Sequence, residues 1–296
     1  MIMKTKQTFP IDTQYRDLLA KVLKKGVTLP SQQGVKAKMI FGNCPMRFNL
    51  NYGAPVITER DVSSFFATPI GELFGFINGA RTQKQLESFG CRWWKHWVTK
   101  EKCHKRGLET GDLGLGSYGA AFHDFPTSEG ESFNQFAYLI EQIKQQPQLR
   151  THFITPWIPQ YIYRVNGRQQ KVVVCPCHGW LHFRVVGKKL SLHMFQRSGD
   201  LPVGVPANLI QYAALLLAVA HVTKLQPHEY IHTISDAHIY LDQLEAVEEM
   251  LSRPPLPLPK IKLVNPPDDL FSFRSHHFSL VNYHPHPAIK KIPAAV

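Results

Sequence analysis

Between Asp12 and Gly26 the apolar residues Tyr15, Leu18, Leu19 and Val22 recur at the three- and four-residue spacing of one helix face. Asp12 or Thr13 can cap its start, and Gly26 supplies the stop. A second helix is expected over Ser63 to Gly79. A third is expected over Ser132 to Gln145, where Phe133, Phe136, Ala137, Ile140 and Ile143 share a face before Pro147 ends it. The period then changes. Lys171 to Cys175 is a β-branched run that reads as a strand, and Trp180 to Val186 alternates, with Leu181, Phe183 and Val185 on one face. Gly187, Lys188 and Lys189 make a turn, from which Leu190 to Arg197 returns antiparallel. Pro206 then opens an apolar helix to about Thr223. Its most apolar stretch, Tyr212 to Val219, is far shorter than the roughly 20 residues of a membrane span, so a buried helix is expected. No internal repeat is visible, and the proline-rich stretch from Arg253 to Pro259 reads as a rigid connection, too brief to divide the chain. One mixed α+β domain over residues 1–296 fits this order.

With 296 residues, 44% of them apolar, the chain can bury a substantial core. Its 34 Lys and Arg outnumber 22 Asp and Glu, and the net charge of +12 favours an anionic partner: nucleic acid, an acidic membrane or a small phosphorylated substrate. Five cysteines without framework spacing argue against a disulfide scaffold and for a reducing compartment. The N-terminal MIMKTKQTFPIDT lacks the apolar core of a secretory signal, which makes a cytoplasmic location the expectation. Basic and aromatic residues interleave from Trp93 to Lys105, as in some RNA or single-stranded DNA binders, but dispersed Lys and Arg more often form a solvated face.

Three clusters carry potential chemistry. Cys175-Pro176-Cys177-His178 has poor spacing for zinc and better chemistry for a nucleophile, since a nearby Arg or His lowers a thiol pKa; two structural thiols are the plain alternative. In Gln196-Arg197-Ser198-Gly199-Asp200, the arginine offers a planar fork for phosphate oxygens, the serine a hydroxyl and the aspartate a polar anchor. Asp236-Ala237-His238-Ile239-Tyr240 places three polar side chains on alternate residues, hence on one face of an extended segment, where they suit a sugar hydroxyl or a hydrogen-bonded strand end.

Together with Gly204-Val205-Pro206-Ala207-Asn208 and Pro285-His286-Pro287-Ala288-Ile289-Lys290, the motifs Pro176-Cys177-His178, Gln196 to Asp200 and Asp236 to Tyr240 resemble those of the thymidylate synthase family, in that family's order. The resemblance runs from Tyr15-Arg16-Asp17-Leu18-Leu19 through Met46-Arg47-Phe48-Asn49-Leu50 to Val296, and the superfamily also contains pyrimidine nucleotide hydroxymethylases. It implies a three-layer α+β fold, a mixed sheet packed by helices around a buried central helix, and a symmetric homodimer. It also implies dUMP and 5,10-methylenetetrahydrofolate as substrates, with no metal.

By the same resemblance Cys177 would be the nucleophile that adds to C6 of the base, and Arg197 would keep the thiolate reactive and hold phosphate with Gln196 and Ser198. Arg150 would reach the partner subunit's phosphate site, while His238 and Tyr240 would hold the deoxyribose hydroxyl. Asn208 would read O4 and N3 of uracil, with His178 beside the base. Glu72 would organise proton transfers, and Tyr118 would assist loss of the C5 proton. Trp94, Trp97, Asp200, Gly204 and Val296 would meet the folate. The expected product is dTMP by reductive methylation; the alternative is a hydroxymethylated dUMP.

Four departures from the family pattern stand out. Gln32 and Thr151 fall where the family places phosphate arginines, and Lys36, Lys38 or His152 could substitute. Tyr118 is followed by Gly119-Ala120-Ala121-Phe122-His123 in place of a Gln-Trp-Arg sequence. Val174 replaces a common leucine, which enlarges the pocket and could admit water.

Overall fold

A computed structural model describes residues 11–295, so residues 1–10 of the N-terminal segment read for targeting, and Val296, lie outside the described residues. Of the main helices, α1 (Gln14–Lys25) buries Tyr15, Leu18, Leu19 and Val22 as their spacing predicts. Asp12 serves its first turn, with Oδ1 accepting from the Gln14 N–H at 3.0 Å, whereas the Thr13 hydroxyl donates to Asp17. Gly26 follows the helix in extended conformation. It is needed for space, since a Cβ there would sit 2.5 Å from the Val22 carbonyl oxygen.

Seven strands form one mixed sheet: β1 (Val27–Leu29), β2 (Ala37–Phe41), β3 (Met46–Asn49), β4 (Phe153–Ile154), β5 (Trp180–Val186), β6 (Lys189–Asp200) and β7 (Gln226–Tyr240). Their order is β1-β2-β7-β6-β5-β4, with β3 also on β7. Only the β6–β7 pair is parallel. The hairpin of β5 and β6 buries Leu181, Phe183, Val185, Leu190, Leu192 and Met194, as the alternation predicts. The expected strand over Lys171 to Cys175 is absent. That run buries Val172 and Val173, but its hydrogen bonds go to Tyr161 in a short helix and to Gly116 and Leu113 in loops, so no ladder forms.

Ser63 to Gly79 divides into a single 3-10 turn and α2 (Ala67–Ile77), buried continuously from Pro69 to Ile77. Next to it packs α3 (Tyr118–His123). The approach is close at Gly119, where a Cβ would lie 2.1 Å from the Ala80 carbonyl oxygen. We expect Gly119→Ala to force backbone movement and to destabilise the fold by about 1–3 kcal/mol, read as a lower urea midpoint; an unchanged midpoint would contradict this packing.

The third expected helix starts later than predicted. In α4 (Gln135–Gln145) the cap is Asn134, which accepts from the Ala137 N–H at 3.0 Å. The buried face is Gln135, Phe136, Leu139 and Ile143; Ala137 is exposed and Phe133 lies in a short hairpin. Gln135 can be buried because its amide bonds the main chain of Ala121 and Thr155.

The crossover between the parallel strands is α5 (Gly204–Val222), 19 residues long and apolar enough to cross a membrane by length and composition. The shortness of Tyr212–Val219 therefore does not settle its place. Burial does, because 89% of its most apolar window is covered by the rest of the protein. A later helix, α6 (Leu244–Ser252), is tied to α1 by Arg16, whose guanidinium donates to the carbonyls of Met250, Leu251 and Arg253.

The parallel register joins residues that are far apart in the chain. It sets Ser198 beside Asp236, Gly199 beside Ala237 and Asp200 beside His238, so two motifs distant in sequence become one surface. An irregularity between Leu190 and Leu192 precedes this stretch. Near the β4 edge of the sheet, Phe153, Trp157, Trp180, His182, His193, Phe195 and Arg197 line an open cavity of about 510 Å³.

Candidate active site

Cys177 lies in the turn before β5, and its partner Arg197 lies on β6. The Arg197 N–H donates to the Cys177 carbonyl at 2.8 Å, and the guanidinium folds back over the turn. Nε donates to the Pro176 carbonyl at 2.8 Å, while one terminal nitrogen reaches the Cys175 carbonyl at 2.9 Å and Cys177 Sγ at 3.5 Å. Burial pushes the Cys177 thiol up, the Arg197 charge draws it down and Asp236 pushes it up again. A cation in contact with sulfur is the local feature that favours thiolate. Cys175 differs, since its Sγ accepts from Gln170 Nε2 at 2.8 Å.

Behind the thiol, Tyr118 Oη accepts from the Cys177 N–H at 2.6 Å. Its ring is stacked between Phe76, at 4.9 Å, and His178, at 4.7 Å. Burial pushes Tyr118 and Tyr212 far above the usual phenol range, so both stay protonated. Tyr212 Oη sits 2.6 Å from His178 Nδ1. Burial and Arg197 push His178 down to about 3, so the ring is neutral, and a donating Tyr212 places its proton on Nε2.

Glu72 projects from α2 into a set of donors. Oε1 accepts from the indoles of Trp93 and Trp94 at 2.5 Å each, and Oε2 from Gln211 Nε2 at 2.6 Å. Burial raises its pKa while the two tryptophans, Gln211 and Cys91 lower it. One turn before Gln211, Asn208 Nδ2 donates to Gln211 Oε1 at 2.9 Å, and Asn208 Oδ1 accepts from Gln196 Nε2 at 3.0 Å. An amide has two N–H donors and two lone pairs, so Asn208 retains one of each.

At the end of the parallel pair, His238 Nδ1 lies 3.0 Å from Asp236 Oδ1, and the Tyr240 ring stands nearly perpendicular to His238. Burial pushes Asp200 up to about 6, although its carboxylate accepts from the Val203 N–H and Gln243 Nε2. Gln243 Nε2 also donates to the Pro293 carbonyl at 2.7 Å, which pins the C-terminal segment beside Asp200. Arg60 is buried nearby with its Nε unpartnered.

The other expected site residues are spread more widely. Gly204 opens α5. The Trp97 N–H donates to the Trp94 carbonyl at 2.8 Å, while its side chain makes no hydrogen bond with the cluster among the described residues and its ring carries Lys102 Nζ at 5.0 Å. Arg150 is exposed, and its carbonyl accepts from His182 Nε2 at 3.0 Å. Two of the three suggested phosphate substitutes are committed elsewhere. Lys38 Nζ donates to the Leu23 carbonyl, and His152 is fully buried against Gln142 and Pro147. Sequence reasoning missed Gln211, Gln243 and the second indole on Glu72. For Gln211 a signal existed, because it repeats Asn208 three residues on in an otherwise apolar helix.

A thiol in contact with a guanidinium can act as a nucleophile, and the Asn208 amide, with one donor and one acceptor to spare, can pair with a polar heterocycle. The thymidylate synthase family model matches residues 13–295, and the chain belongs to that family. At family level it is a methyltransferase-type enzyme acting in folate-dependent one-carbon transfer to C5 of dUMP, with methylenetetrahydrofolate as co-substrate.

Proposed function

We propose that this chain converts dUMP to dTMP through a covalent bond between Cys177 and C6 of the base. The observation that carries the reading is the Arg197 contact with Cys177 Sγ at 3.5 Å, on a turn whose carbonyls the same guanidinium holds. Sγ forms a bond to C6, and the C5–C6 π electrons move toward C5 and O4, where the spare N–H of Asn208 stabilises the charge. Asn208 Oδ1 accepts from N3–H. The C5 electron pair then bonds the one-carbon unit of the co-substrate. Tyr118, fixed by its hydrogen bond to the Cys177 N–H, assists removal of the C5 proton as the folate amine leaves, which makes an exocyclic methylene. Hydride from the reduced folate adds to that methylene, C5=C6 re-forms, and Sγ leaves C6 as thiolate. Glu72 orders protons near O4, Ser198 helps Arg197 hold the phosphate, and His238 and Tyr240 meet the sugar hydroxyl.

The co-substrate supplies the one-carbon unit and, in the reductive outcome, a hydride. The residues around Asp200 fit it: a carboxyl pushed up to about 6 offers a hydrogen-bonding partner to a heterocycle, and the orphaned Nε of buried Arg60 is an unused donor. Trp94 and Gly204 flank that region in this reading.

Incubation with dUMP and methylenetetrahydrofolate is expected to yield dTMP and dihydrofolate, identified by nucleotide mass and folate absorbance. A hydroxymethylated nucleotide with tetrahydrofolate would instead mean that water captures the exocyclic carbon, and neither product would defeat both readings.

The working unit is proposed to be a homodimer joined through the sheet face that exposes Phe153 and Phe195, with Arg150 passing to the partner's phosphate. A mixture of Cys177→Ser and Arg150→Ala chains is then expected to regain activity that neither has alone. Failure of the mixture, despite subunit exchange, would oppose a shared site. The five free cysteines support a reducing, cytoplasmic setting for this enzyme.

A further inference from the structure

An asparagine amide offers a carbonyl and an NH2 of nearly equal shape, and which of them meets N3 of a pyrimidine decides between uracil and cytosine. The choice is fixed outside the pocket. Gln196 Nε2 donates both to Asn208 Oδ1 at 3.0 Å and to the Ser198 main-chain carbonyl at 2.9 Å. A carbonyl oxygen can only accept, so it determines which end of Gln196 is nitrogen. Gln196 Oε1 therefore faces His232 Nε2, 2.8 Å away, and that nitrogen carries the ring proton. Burial keeps the imidazole neutral, so Nδ1 is bare and accepts from Tyr230 Oη at 3.0 Å. Both Tyr230 and His232 are fully buried.

The same polarity continues beyond Asn208, through Gln211 to a carboxylate that accepts on both oxygens. Reversing it would press Gln196 Oε1 against the Ser198 carbonyl and Gln211 Oε1 against Glu72, two acceptor–acceptor contacts in a low dielectric.

On the reading that Asn208 meets the base, we propose that Tyr230 and His232 are specificity-determining positioning residues. With the Ser198 carbonyl, they hold Gln196, and through it Asn208, in the single orientation that accepts N3–H of uracil and opposes the N3 lone pair of cytosine. Neither hydroxyl nor imidazole takes part in bond making.

The test measures dissociation constants for dUMP and dCMP. Tyr230→Phe frees the imidazole tautomer and is expected to reduce the preference for dUMP by roughly 3- to 10-fold. His232→Leu is expected to reduce it further, and His232→Gln, whose amide can donate to Gln196 Oε1, to restore most of it. In an Asn208→Ala background, His232→Leu should change the ratio no further, because its effect travels through Asn208. Independently of any variant's folding, nitrogen-15 NMR of the unmodified protein should show His232 protonated at Nε2. A proton on Nδ1, or an unchanged ratio in both Tyr230→Phe and His232→Leu, overturns the proposal while the nucleotide reading stands. If the unmodified chain binds neither nucleotide, the nucleotide reading itself falls and takes the proposal with it.

Discussion

Cys177→Ser is expected to lower kcat by roughly 10³-fold or more while leaving dUMP affinity close to that of the unmodified protein. The loss is electrostatic in origin. Arg197 lies against sulfur and favours the thiolate, whereas a serine hydroxyl is far too weak an acid for that contact to ionise. In the variant Arg197 keeps its guanidinium bonds to the Pro176 and Cys175 carbonyls and its N–H bond to the main-chain carbonyl at position 177, so the turn and the proposed nucleotide contacts persist. Mass spectrometry with a mechanism-trapping pyrimidine should show a covalent adduct on the native chain and none on the variant. Retained turnover, or an adduct on Cys175, would defeat the assignment.

Glu72→Gln is expected to cost about 10² to 10⁴ in kcat, with a smaller effect on KM. The replacement is nearly isosteric and its carbonyl can still accept from Trp93 and Trp94, but its NH2 meets the NH2 of Gln211. The hydrogen-bond partners of Glu72, Trp93, Trp94, Gln211 and Cys91, all donate to it and favour the ionised form. Burial nevertheless lifts its pKa above an ordinary carboxylate. Activity of the native enzyme should therefore fall as pH drops through that raised value, at higher pH than a surface glutamate would give, and Glu72→Gln should lose this acid limb. A normal rate in the variant, or an unchanged acid limb, would remove Glu72 from proton handling.

Periodicity exposed the elements whose own residues determine them. One face of α1 is apolar by spacing alone, and the β5–β6 hairpin carries both its alternation and its turn in a short stretch. Lys171 to Cys175 misled because β-branched residues favour an extended backbone without specifying a partner strand, and groups outside any strand took the hydrogen bonds. Likewise the start of α4 was decided by Asn134, which rotated the buried face away from Phe133 and Ala137. In the site, Cys177 and Arg197 were legible as motif residues. The set around Glu72 was not, since its bond to Gln211 joins positions 139 residues apart and no local pattern reports it. The same distance effect hid the commitment of Lys38 to the Leu23 carbonyl.

The break in pairing between Leu190 and Leu192 has an evolutionary consequence. From Leu192 onward β6 and β7 keep a constant offset to the end of the site, while Lys189 and Leu190 pair one residue out of step with it. Length changes near the Gly187 turn or at the entry to β7 can be absorbed at this joint. A one-residue insertion just past Leu192 would instead turn both Gln196 and Ser198 to the other face of the sheet. The joint divides the parallel pair into a segment free to drift in length among descendants and a segment in which substitution is the only tolerated change.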